Sequence, residues 1–266
     1  MTIGDNITPT RPLPRILCLH GGGVNGGVFR LQCRTIISQL AHTFRLVFMD
    51  APYASSPHPD IVAVYGHLGP FHRWLPSTDE EQPAAGAGAG AAARHVMDSC
   101  LAAMDNDDGS GPWVGVLGFS QGAKIAISLL WAQRRAEVLL GQGHARTDFR
   151  FGVVMAGSAP VVCLDPRLPR PRHVADATAD VSGPLFEDWP DAPCGHHVVD
   201  IPTLHVHGLK DAGLERHRKL LALYCEPGRT SVVEWDAGHR LPFKTGDVRR
   251  VVSSMLDMAR QEGVVV

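Results

Sequence analysis

No two of the six cysteines in this chain stand at C-x-x-C spacing; Cys18, Cys33, Cys100, Cys163, Cys194 and Cys225 are scattered over 266 residues. That scatter argues against a disulfide framework and for reduced thiols, and so for a cytoplasmic setting. Long apolar runs are missing too. Nothing approaches the roughly 18 residues that mark a membrane span, and the Thr- and Pro-rich stretch from Met1 to Pro14 lacks the apolar centre of a signal peptide. Neither sign of charge is in excess, with 25 Lys and Arg against 27 Asp and Glu. This removes the electrostatic case for a nucleic-acid partner or an anionic membrane. Charged residues make up only 20% and hydrophobic residues 44%, which excludes a disordered chain. The length suits one domain over residues 1–266.

What is present is a regular alternation of short apolar runs with helical patterns. Strands are predicted at Arg15–His20, Arg45–Met49, Trp113–Leu117, Phe151–Ala156, Thr203–Gly208 and Thr230–Trp235. Helical spacing of apolar residues falls between them, at about Gly27–His42, after Ala93, after Ala123, at about Leu214–Cys225 and at about Gly246–Gln261. Such alternation implies a mainly parallel sheet of about six strands with right-handed crossovers. The short stretch before the first strand predicts that an opening antiparallel hairpin is absent. Two segments break the pattern. Tyr53–Gln82 and Ser158–Pro202 are dense in proline and predict irregular loop insertions. The Ala/Gly tract within Pro83–Ala93 reads as a linker.

Gly118-Phe119-Ser120-Gln121-Gly122 fits G-x-S-x-G, with an apolar run before it and a helical pattern after it. In a nucleophile elbow a serine sits on a sharp strand-to-helix turn, with its hydroxyl exposed. Asp211 and His239 each lie just past a later predicted strand. The order Ser120, Asp211, His239 is that of the α/β-hydrolase arrangement. A serine hydroxyl is a poor nucleophile until a histidine takes its proton, and a carboxylate must then fix the imidazole tautomer. His20-Gly21-Gly22-Gly23 closes the first predicted strand. Its unobstructed amides suit an oxyanion hole, with the amides of Gly22 and Gln121 as donors and Gly23 as the alternative in a register shifted by one.

Other residues compete for these roles. Asp236 lies closer in sequence to His239 but is badly placed to brace the ring from the same turn. His205 and His207 share a strand face and read as packed core histidines. Cys194, His196 and His197 lack a fourth ligand at zinc spacing. No metal and no cofactor is expected. Phe71 and Trp74 in the first loop, and Leu185, Phe186 and Trp189 in the second, are candidates for contact with a substrate or for packing against the body.

The pieces Leu19-His20-Gly21-Gly22-Gly23-Val24-Asn25, Asp50-Ala51-Pro52, Gly118–Ala123, His207-Gly208-x-x-Asp211 and Gly238-His239 together resemble the fungal FSH-type serine hydrolase family of the α/β-hydrolase superfamily. The resemblance spans about residues 15–255. It implies a trans-acting thioesterase or esterase beside a polyketide synthase, as in lovastatin biosynthesis. It also implies an acyl thioester or ester substrate in secondary metabolism, with the synthase's acyl carrier domain as a candidate partner. The five apolar residues of the two loops would then form the acyl pocket. Two alternatives stay open: a thioesterase that forms a lactone, and a non-catalytic ligand-binding protein on the same fold.

Overall fold

The computed structural model describes residues 12–76, 88–178, 186 and 188–264. Six strands form one parallel sheet: β1 (Arg15–Leu19), β2 (Arg45–Met49), β5 (Trp113–Phe119), β6 (Phe151–Met155), β7 (Thr203–Gly208) and β8 (Thr230–Trp235), in the order β2-β1-β5-β6-β7-β8. The missing numbers belong to a small antiparallel pair, β3 (Tyr53–Ser55) and β4 (Phe71–Arg73). Both faces of the sheet are covered, which is why its strands are nearly continuous apolar runs. β1 shows this residue by residue. Ile16 and Cys18 pack into one core with Phe29, Ile36 and Val251, while Leu17 and Leu19 enter the opposite core with Val96, Ile125 and Leu220.

The first core lies under α1 (Gly26–Gln32), α2 (Arg34–Leu40) and α7 (Thr245–Gln261); the second lies under α4 (Gly88–Asp105), α5 (Gln121–Leu140) and α6 (Leu214–Tyr224). The expected single helix over 27–42 is therefore two, divided at Cys33, whose ψ of 4° leaves helical geometry. The Ala/Gly tract differs more. Gly88–Ala93 is not linker but the start of α4, and Ala92 and Ala93 are buried against the core. Alanine has the highest helix propensity, and its small side chain admits close packing. Pro83–Ala87 falls outside the described residues.

The excursion after β2 is also more ordered than its prolines suggest. It contains β3, β4 and a short helix, α3 (Pro59–Tyr65). Pro59 starts that helix, where a missing N–H costs nothing, and the His58 side chain accepts from the Asp60 amide at 3.3 Å. Asn25 fastens the excursion to the body. Its Oδ1 caps α1 by accepting from the Val28 amide, and its Nδ2 donates to the carbonyls of Leu68 and Pro70 at 2.7 and 2.8 Å. Among the described residues of 158–202 no helix or named strand occurs; Val161, Val162, Leu164 and Val174 bury themselves in the second core. No helix of the described residues is long and apolar enough to cross a membrane.

Candidate active site

The strand order reverses between β1 and β5, because the chain goes from β1 outward to β2 and then returns across β1 to β5. At such a switch point the loops leave in opposite directions and a crevice opens at the carboxyl ends of the strands. The turn after β5 carries Ser120, and the turn after β1 carries His20-Gly21-Gly22. Asp211 and His239 follow β7 and β8 on the same edge.

Ser120 has φ 53° and ψ −116°, a strained conformation for a residue with a side chain. The tight turn survives because its flanks are bare. A Cβ on Gly118 would stand 2.2 Å from the Gly122 carbonyl oxygen, and one on Gly122 would stand 2.2 Å from that of Leu19. The Ser120 hydroxyl lies 2.9 Å from His239 Nε2 and donates to it; His239 Nδ1 donates to Asp211 Oδ2 at 2.7 Å. Asp211 is buried, and its Oδ1 accepts from the Gly213 amide at 2.8 Å. Burial pushes its carboxyl pKa up, but the Gly213 amide and the His239 hydrogen bond outweigh burial and hold it below the ordinary carboxylate value. Asp236, the competing acid, points away to an exposed ion pair with Lys210 at 2.6 Å.

The glycine loop is held from below. The Ala51 amide donates to His20 Nε2 at 3.0 Å, so the ring proton sits on Nδ1 and is donated to the Gly21 carbonyl at 2.7 Å. Burial lowers the His20 pKa to about 4, which keeps this tautomer neutral. Gly22 faces Gln121, and a Cβ there would stand 3.3 Å from Gln121 Oε1. The Gly23 amide is already donated to the His72 carbonyl at 2.9 Å. With that amide occupied, Gly22 beside Gln121 is the pair of candidate donors.

Trp74 is where expectation and structure part. It is 0% exposed, so it offers no surface to a ligand. Its Nε1 donates to the His20 carbonyl, and its amide donates to Gln121 Oε1, both at 2.7 Å. Phe71 is likewise buried, in a small cluster with Val24, Val28 and Ile61. Phe186 and Trp189 stack edge to face at 5.4 Å; Trp189 packs on the second core beneath the Lys219 ammonium, 4.8 Å from its ring. Neither is among the residues lining the cavities at Ser120. Leu185 lies outside the described residues.

Two cavities meet at Ser120 and His239. One, of about 500 Å³, is mainly apolar, walled by Val24, Ile61, Val64, Tyr65, Phe119, Leu241 and Phe243, with Arg34 and Arg240 at its edge. The other, of about 400 Å³, is more polar and is lined by Lys124, Ser158, Asp211, Arg216 and His217. Lys124 is buried and donates from Nζ to the carbonyls of Ser158 and Pro160 at 2.7 and 2.9 Å; burial lowers its pKa to about 7. Sequence reasoning missed the apolar wall. Ile61, Val64 and Tyr65 sit at i, i+3 and i+4 after an N-terminal proline, and that spacing was the available signal.

Four histidines run through the body toward the site. Ring centroids are 5.8 Å apart from His205 to His207, 5.8 Å from His207 to His217, and 6.2 Å from His217 to His239. His205 and His207 are fully buried on β7, as expected of packed histidines. Cys194 and His196 are exposed, while His197 is buried and hydrogen-bonds the Leu223 carbonyl at 3.1 Å.

A parallel sheet with helices on both faces, and a serine, a histidine and a carboxylate in hydrogen-bonded sequence at its C-terminal edge, defines an α/β-hydrolase. Within that class, the chain belongs to the serine hydrolase (FSH1) family, whose profile matches residues 10–251. It is similar to esterase pigG of Monascus ruber, with 45% identity covering 96% of this chain and 95% of that protein. Esterase dbaE of Emericella nidulans is 42% identical over 98% of this chain and 96% of its own length. Among solved structures, acyl-protein thioesterase 2 from Zea mays superposes with a TM-score of 0.50 at 18% identity, covering 94% of this chain and 95% of that chain. TT1662 from Thermus thermophilus gives 0.50 at 19% identity, covering 94% and 90%. At those identities the likeness is one of fold.

Proposed function

We propose that this protein cleaves a carboxylic ester or thioester through an acyl-enzyme on Ser120. The observation that carries this reading is the unbroken chain Ser120–His239–Asp211, with links of 2.9 and 2.7 Å. As Ser120 Oγ attacks the carbonyl carbon, its proton passes to His239 Nε2, and Asp211 stabilises the imidazolium and fixes the ring. The oxygen that becomes negative is received by the amides of Gly22 and Gln121, the latter at the positive end of α5. His239 then protonates the departing alcohol or thiol. Water, activated by the same histidine, releases the acid.

The two cavities support a reading of the substrate class. The apolar one would take the acyl chain, since burying such a chain is worth about 25 cal/mol per Å². The polar one would take the leaving group. Curated relatives named as esterases support an ester or thioester, and they fit a polyketide-type acyl chain in secondary metabolism. The finer reading, in a cytoplasmic setting, is a thioester presented by the acyl carrier domain of a polyketide synthase. A fluorophosphonate probe should label the native protein and leave Ser120→Ala unlabelled. Native protein that stays unlabelled at neutral pH would overturn the catalytic reading. Incubation with a synthetic acyl-pantetheine thioester, followed by product analysis, separates free acid from lactone.

A further inference from the structure

Among the described residues, one grouping of three side chains has the donor set and spacing of a metal site, and it overlaps the proposed triad. Asp211, His217 and His239 each offer a ligand atom within 4.8 Å of the other two. The third member, His217 on α6, has no role in the proton transfers above. It is 2% exposed, yet its Nδ1 has no hydrogen-bond partner and stands 4.0 Å from Asp211 Oδ2, beyond hydrogen-bond reach. A buried ring nitrogen left without a hydrogen-bond partner is costly. The polar cavity opens onto all three residues.

We propose that Asp211, His217 and His239 form an inhibitory site for a divalent cation of the zinc type. Two imidazole nitrogens and a carboxylate oxygen are donors suited to Zn²⁺, which binds nitrogen and oxygen at about 2.0–2.2 Å and leaves a fourth position to water or another ligand. Ligand atoms so bound stand roughly 3 to 3.5 Å apart. The present separations of 2.7 Å from His239 Nδ1 and 4.0 Å from His217 Nδ1 to Asp211 Oδ2 bracket that value. The ligand atoms of His217 and His239 lie within 4.8 Å of each other, so side-chain shifts of about 1 to 2 Å would close the site.

The mode of inhibition follows from proton accounting. In the metal-free site Nδ1 of His239 carries the ring proton and Nε2 is the base. A metal bound to Nδ1 drives that proton onto Nε2, with no net proton released from the ring. Nε2 can then no longer accept the Ser120 proton, and the hydrogen bond to Asp211 is replaced by coordination. The metal thus locks the enzyme with its nucleophile unactivated.

The test uses the full-length protein and zinc chloride. Isothermal titration should find one Zn²⁺ bound per chain in native protein and in Ser120→Ala. His217→Gln should weaken binding at least about tenfold, equivalent to 1.4 kcal/mol. Turnover of p-nitrophenyl acetate by native protein and by His217→Gln, each read against its own metal-free rate, should show inhibition that is weaker in His217→Gln by the same factor. Anomalous diffraction from zinc-soaked native crystals makes the test independent of how well the variant folds, and should place the metal between the three side chains. A peak only at the exposed Cys194 and His196, or binding unchanged in His217→Gln, would overturn the proposal. The inference rests on the proposed triad for its inhibitory effect but not for its binding. A protein that binds zinc here yet hydrolyses no ester would sink the proposed function and leave the metal site standing.

Discussion

At the scale of single residues, Trp74 shows how one side chain can serve a site it never touches. Its ring nitrogen holds the carbonyl of His20, and its amide holds the side chain of Gln121. The glycine loop and the elbow are thereby tied to each other. Trp74→Ala should cost about 3–5 kcal/mol of stability, as large-to-small changes in a core do. Trp74→Phe is the sharper experiment. It keeps most of the bulk and removes only the donor to His20, so kcat on a short acetate ester and on a long acyl ester should fall by a similar factor. A loss confined to the long ester would mean that the indole touches the acyl chain after all. Asp211→Asn should keep the fold and lower kcat by about 10³–10⁴, since the amide favours the wrong imidazole tautomer. The hydrogen-bonded row of Ser120, His239 and Asp211 was legible from the chain because each member follows a strand and the order of the three is distinctive. Trp74 was not. An aromatic residue in a proline-rich loop reads the same whether its ring faces solvent or core, and only the path of the chain decides between them. His217 was hidden for a like reason: one histidine on an amphipathic helix carries no pattern of its own.

At the scale of elements, the strands were easy to find because both faces of the sheet are covered, which makes each strand an apolar run with sharp ends. The short helix over Pro59–Tyr65 was harder. Its flanking prolines dominate the local signal, although one of them begins the helix. Helix α5 carries a further consequence. Lys124, one turn beyond Ser120, is buried and braces the segment after β6 through two carbonyls. Burial lowers its folded pKa to about 7, below the ordinary lysine value of 10.5. Between those two values the unfolded chain binds more protons at this residue than the folded one, so its contribution to stability rises with pH. From pH 7 to 9 the stability of the native protein relative to Lys124→Met should increase by about 2 kcal/mol. Chemical denaturation at several pH values measures this directly. A pH-independent difference would mean that the ammonium is solvated.

At the scale of the whole molecule, two cavities of different character meet at Ser120 and His239, and chain-length preference should reside in the apolar one. Val64 is 62% exposed and lines its wall, so Val64→Asp should fold normally while placing a charge where an acyl chain would lie. It should lower kcat/KM on long acyl esters at least about tenfold, equivalent to about 1.4 kcal/mol, and leave acetate esters nearly unchanged. Phe243→Ala should act in the same direction. Equal loss on short and long esters would place the acyl chain elsewhere. Both outcomes are read from a simple series of p-nitrophenyl esters.

The excursion bearing α3 and the β3–β4 pair leaves the sheet after β2 and is fastened at one rim by Asn25. It supplies much of the apolar wall, yet none of the three triad residues lies on it. Part of the wall is therefore written apart from Ser120, Asp211 and His239, while Phe119, Leu241 and Phe243 reach it from the turns that carry Ser120 and His239. Mutation within the excursion can reshape what the enzyme accepts without touching the three residues proposed to react.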